Sequence, residues 1–85
     1  MDFDWDDGNV WHLSERHNIT AEEAVEAFYS QFVLVAFQDR EGEFRRFALG
    51  QTLAGKVLVF IYILRRQKVR IITAFPAKKR LQRLY

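Results

Sequence analysis

The chain has 85 residues, of which 49% are hydrophobic and 15% aromatic; that suffices for one small core and is too apolar for a disordered tail. It contains no cysteine, which excludes a disulfide framework and any thiolate metal site. The formal net charge of +2 conceals a division: residues 1–43 hold all eleven acids and two bases, net −9, whereas residues 44–85 hold eleven bases and no acid.

Such an asymmetry implies either two partners of opposite character or two faces that compensate each other. The basic half is dense enough to neutralise several phosphates. The chain opens Met-Asp-Phe-Asp-Trp-Asp-Asp, acidic and without the apolar core of a secretion signal, so a cytoplasmic location and no membrane partner are expected. Residues 2–5 alternate, which puts Phe3 and Trp5 on one face of a short edge strand. Asp6 or Asp7 suits the N-cap of a first helix over Gly8–His17. Asn18 is its stop, since asparagine tolerates left-handed φ. Thr20-Ala-Glu-Glu23 reads as a capping box, with a carboxylate three residues after the threonine. The second helix it opens runs through Tyr29 and buries Ala24, Ala27 and Phe28.

From Phe32 the period becomes that of a strand. Phe32–Phe37 is followed by a hairpin loop at Asp39–Gly42 and a return over Phe44–Gly50. That return places Arg45, Phe47 and Leu49 on one face and Phe44, Arg46 and Ala48 on the other. A loop over Gln51–Lys56 leads into Val57–Leu64, apolar on both faces and therefore a strand with cover on both sides. This run is far short of the ~20 apolar residues of a membrane-spanning helix. Arg65–Lys68 connects it to Val69–Phe75. Pro76 breaks that strand, and Ala77–Tyr85 reads as a short basic helix. The expected fold is α+β, one domain over residues 1–85. Two N-terminal helices pack on a mostly antiparallel four- to five-stranded sheet, with a short C-terminal helix.

Enzyme classes narrow quickly. Ser14 and Ser30 lack a glycine elbow, and the glycines at 8, 42, 50 and 55 form no phosphate-cradling loop. His12 and His17 are five apart, roughly 140° around a helix, a poor metal pair, so no metal or cofactor is expected. His17 suits either a structural role at a helix end or a general base. Arg70 interrupts an apolar strand and must find an anion or water. It serves either a salt bridge to an N-terminal carboxylate or a phosphate clamp, for which guanidinium geometry is suited. Arg45, Arg46 and Lys56 extend a basic patch. Tyr62 supplies a hydroxyl, a stacking ring or core packing.

Several of these stretches together resemble the BrnT family of type II toxin–antitoxin systems. They are Phe3-Asp-Trp-Asp-Asp-Gly-Asn9, His12, Arg16-His17, Ile19-Thr-Ala-Glu-Glu-Ala24 and Phe28. Downstream, Arg46-Phe-Ala-Leu-Gly50, Gly55-Lys-Val-Leu-Val59, Tyr62 and Arg70-Ile-Ile-Thr-Ala74 are similar in order and spacing. The resemblance implies a RelE-like fold and a metal-independent endoribonuclease neutralised by a cognate antitoxin of the ribbon-helix-helix type. Operator DNA would be bound only through the toxin–antitoxin complex. The RNA 2′-hydroxyl would attack the adjacent phosphate, with Arg70 stabilising charge and His17 or Tyr62 assisting proton transfer. Lys78, Lys79 and Arg80 would hold the RNA backbone. Two positions depart from the family pattern: Phe75 stands where an arginine is common, and Leu81 where a glutamate is. With Leu84 and Tyr85, these two suit an apolar surface for a partner. The alternative is a non-catalytic module on the same scaffold that binds the antitoxin or RNA.

Overall fold

The computed structural model describes residues 2–6, 18–30, 33–40 and 42–85. Their elements run in the order α1 (Ala21–Tyr29), β1 (Val33–Arg40), β2 (Glu43–Gln51), β3 (Val57–Arg65), β4 (Lys68–Pro76) and α2 (Lys79–Gln82). The strands form an antiparallel meander of order β1-β2-β3-β4. Phe3 adds a parallel bridge to Val69 on the outer edge of β4. There the Asp4 N–H donates to the Val69 carbonyl at 2.8 Å, and the Val69 N–H donates to the Asp2 carbonyl at 2.9 Å.

The expectation of two N-terminal helices packed on the sheet is corrected. Among the described residues one N-terminal helix, α1, lies on the sheet, and the helix expected over Gly8–His17 falls outside the described residues. The C-terminal helix is also shorter than expected. Ala77 still donates its N–H to the Val57 carbonyl at 2.9 Å, so the chain leaves the sheet late and α2 begins at Lys79.

Helix α1 starts where the capping box places it. The Glu23 N–H donates to Thr20 Oγ1, and the Thr20 N–H donates to Glu23 Oε1, each at 3.1 Å. Asn18 has φ +55°, a left-handed value that asparagine tolerates. The helix buries Ala24 and Ala27 against Ala48, Leu58, Phe60, Ile71 and Ala74 of the sheet. Small residues on the helix permit a close approach, which culminates at Gly50. A Cβ there would overlap the carbonyl of Ala27, sitting 2.6 Å from its carbon. Phe3, Trp5 and Phe28 close the side of this core, with the Phe3 and Phe28 rings edge to face at 5.3 Å.

The opposite face carries a second cluster. Leu49, Val59 and Ala77 are buried there, with Val57, Phe75 and Leu81 packed against them, so α2 lies across this face at one end. The two hairpins that join β1 to β2 and β3 to β4 mark the other end. In the second, Arg66 and Gln67 have φ +52° and +64°, the pair of left-handed residues whose twist matches flanking strands.

Candidate functional site

Strand alternation sorts the charged residues between the two faces at the hairpin end. Arg46 pairs with Tyr62, which continues the ladder to bring Arg45 opposite Ile63, and Ile63 pairs with Arg70. Arg45, Ile63 and Arg70 therefore form a row across the face turned away from α1, with Arg65 and Lys68 paired one step further on. Two strand spacings separate the outer members of the row, about 10 Å between Cα atoms. Two arginine side chains can converge above Ile63 across that gap.

These arginines meet carboxylates. Arg70 Nη2 donates to Asp6 Oδ2 at 2.8 Å, and its Nη1 lies 3.7 Å from Asp4 Oδ2. The same Asp4 oxygen is 3.6 Å from Arg65 Nη2, and Arg45 Nη2 is 3.6 Å from Glu43 Oε1. Of the two roles open to Arg70 from sequence, the salt bridge to N-terminal carboxylates is present. Only one of its contacts is short enough to be a hydrogen bond. Arg70 Nη1 and Arg45 Nε are buried and have no hydrogen-bond partner among the described residues. An unsatisfied buried donor costs about 1–3 kcal/mol, so this face holds two N–H groups that an added anion would satisfy.

Tyr62 belongs to the other face. It is 6% exposed, its ring edge to face with Phe28 at 5.3 Å and stacked on Phe60 at 5.9 Å. Burial pushes its phenol above the ordinary value, while the Arg46 charge pulls it back. The structure thus does not bring Tyr62 together with Arg70, because adjacent β3 positions point to opposite sides of the sheet. Arg46 is likewise on the α1 side, its guanidinium 5.0 Å from the Phe44 ring centre and 6.0 Å from that of Tyr62. Those rings hold the cation by cation–π attraction.

The remaining basic candidates lie at the far end of the strands. Lys56 Nζ is 3.0 Å from Glu23 Oε2 beside the start of α1, where the Thr20 backbone N–H and then Lys56 hold the Glu23 carboxyl below its usual range. Lys78, Lys79 and Arg80 are exposed at α2. Val59, beneath α2, is four β3 positions from Ile63, about 13 Å along the strand. Phe47, Ile61 and Thr73, half-exposed, pave the interval. His17 lies outside the described residues. The residues missed by sequence reasoning are Asp4 and Asp6. Their signal was the same alternation that set Phe3 and Trp5 inward, since it turns Asp2, Asp4 and Asp6 to the other side. Phe75 and Leu81, read as an apolar surface for a partner, instead pack within the chain's own second cluster.

Residues 5–80 match the family model described as ribonuclease toxin, BrnT, of type II toxin-antitoxin system. The chain belongs to the BrnT family. A search of individually curated proteins gives no match. Membership makes this a ribonuclease toxin of a type II toxin–antitoxin pair, with an antitoxin as its partner. Among the described residues of this BrnT-family toxin, no helix is long and apolar enough to cross a membrane, and no three His, Cys, Asp or Glu side chains gather as metal ligands.

Proposed function

We propose that this BrnT-family toxin is a metal-independent endoribonuclease that holds RNA on the sheet face turned away from α1. The observation that carries this reading is the row of Arg45 and Arg70 flanking Ile63, each with a buried N–H donor that has no acceptor among the described residues. One phosphate above Ile63 would accept from both, as the charged phosphorane formed when the 2′-hydroxyl attacks would do more strongly. Lys78, Lys79 and Arg80 would take phosphates further along the backbone, with Phe47 and Ile61 between. Lys56, held by Glu23, and Arg46, over its aromatic rings, sit outside this track and act on RNA only at its margins. Tyr62 serves as a core residue, and proton transfer falls to another group, with His17 the remaining candidate. The cognate antitoxin, expected to be a ribbon-helix-helix protein carrying the operator contact, would neutralise the toxin by covering this face. A cytoplasmic site of action accords with a substrate that is cellular RNA.

A second reading has one specific observation in its favour. Phe75 and Leu81, which stand where the family commonly has arginine and glutamate, pack into the same apolar cluster beneath α2. A charge pair exchanged for an apolar contact conserves the docking of α2 while removing a cation from the RNA track. That suits a scaffold that binds antitoxin or RNA without cutting.

Cleavage of end-labelled RNA in EDTA, by wild type and by Arg70→Ala, separates the two. The enzymatic reading expects cleavage that survives EDTA and falls about 100-fold or more in the variant, the size of losing one charge-stabilising group. Two folded proteins that both leave the RNA intact would overturn free ribonuclease activity and favour the binding module.

A further inference from the structure

Two arginines of the proposed RNA face, Arg65 and Arg70, are already neutralised, and by one short segment. Asp4 and Asp6 sit on consecutive outward positions of the N-terminal edge strand, spaced to meet Arg65 and Arg70. Asp4 is shared between the two guanidinium groups, at 3.6 and 3.7 Å. Asp6 Oδ2 takes the one short hydrogen bond of Arg70, at 2.8 Å. Two carboxylates against two guanidinium groups leave no net charge to attract a phosphate. Arg70 is itself only 19% exposed. A second anion can reach its buried Nη1 only if the edge strand gives way.

Among the described residues, that strand is joined to β4 by two backbone hydrogen bonds, Asp4 N–H to the Val69 carbonyl and Val69 N–H to the Asp2 carbonyl. To these are added the ion pairs and the packing of Phe3 on Phe28 and Tyr29. A carboxylate and a phosphate present a guanidinium with the same pair of acceptor oxygens. We propose that Asp4 and Asp6 occupy, in the toxin alone, the places on Arg65 and Arg70 that RNA phosphates take. The edge strand is then an internal competitor of the substrate. The inference rests on the RNA-binding reading above and adds to it a regulation of that face. It makes the affinity of the free toxin for RNA lower than its basic half alone would give. It also makes residues 2–6 the segment whose displacement uncovers the arginines.

The test is binding of a fluorescein-labelled single-stranded 2′-O-methyl oligoribonucleotide, which lacks the attacking hydroxyl, to wild type, Asp6→Asn and Asp4→Asn/Asp6→Asn. The isosteric amides keep shape and remove charge. The latch expects the double variant to bind about tenfold more tightly, with Asp6→Asn between. If wild type binds and the folded amide variants bind equally or more weakly, the carboxylates do not compete, and the proposal is overturned while RNA binding stands. If no protein binds, the RNA reading falls and takes the latch with it. Should the double variant not fold, amide hydrogen exchange on wild type decides: adding the oligonucleotide should speed exchange at Asp4 and Val69. Unchanged or slower exchange at both would overturn the latch.

Discussion

Gly50 is where helix and sheet come closest, and Gly50→Ala tests the packing that sets the whole α1 face. The added methyl would sit 2.6 Å from the Ala27 carbonyl carbon and 3.0 Å from its Cα, with the carbonyl oxygen closer still. These are backbone atoms in the last turn of a helix whose Ala24 and Ala27 are fully buried, so no side-chain rotation relieves the overlap. Helix α1 must move outward by about 1 Å to restore ordinary contact, opening space above Ala48 and Phe60. Alanine suits a strand better than glycine by roughly 0.5–1 kcal/mol. Overpacking costs about 1–3 kcal/mol, and an obstacle made of backbone puts this site at the upper end. The net expectation is a loss of about 2 kcal/mol, against about 4–13 kcal/mol for the stability of a domain of this length. With a urea m-value of about 1 kcal/mol/M for so small a chain, the midpoint of unfolding should fall by about 2 M. A midpoint equal to or above that of wild type would refute the close approach and, with it, the placement of α1.

Other expectations follow from the same geometry. Tyr62→Phe should leave RNA cleavage within about twofold of wild type, because the phenol lies across the sheet from Arg70; a hundredfold loss would return Tyr62 to the chemistry. Arg45→Ala should weaken binding of the 2′-O-methyl oligonucleotide and lower the log–log salt slope by about 0.7, the contribution of one single-strand phosphate. Replacing Arg66-Gln67 with Asn-Gly should raise stability by about 1 kcal/mol in urea unfolding, since both positions hold left-handed φ that ordinary side chains resist. Thr20→Ala should cost about 1 kcal/mol by removing the α1 cap. Glu23 adds a pH dependence: its folded pKa is lowered by the Thr20 N–H and by Lys56, so its contribution is complete above its unfolded pKa. That contribution is lost as pH falls through the lowered folded value, and Glu23→Gln should remove this part of the acid-side slope. An unchanged slope would place the carboxylate outside the cap.

Local rules, which depend only on neighbours in the chain, were legible without a structure. The capping box at Thr20–Glu23, the left-handed φ of Asn18 and the opposite facing of Arg45 and Arg46 all follow from short-range geometry. So does the strand character of Val57–Leu64, buried on both faces for most of its length. Family membership was legible too, because its motifs are strings of adjacent residues. What tertiary structure decided is which separated residues meet. The register of β3 on β4 sets Arg70 beside Ile63 and away from Tyr62, and a slip of one residue would have exchanged those faces. The parallel docking of residues 2–4 on Val69 brings Asp4 and Asp6 to Arg65 and Arg70. The exit of the chain after Ala77 lays Leu81 on Phe75. Each depends on contacts across more than sixty residues or on strand pairing, and no local propensity encodes either. Composition established a basic half and an acidic half. Only the fold decided that they meet at Arg65 and Arg70 on one face and at Lys56 beside α1.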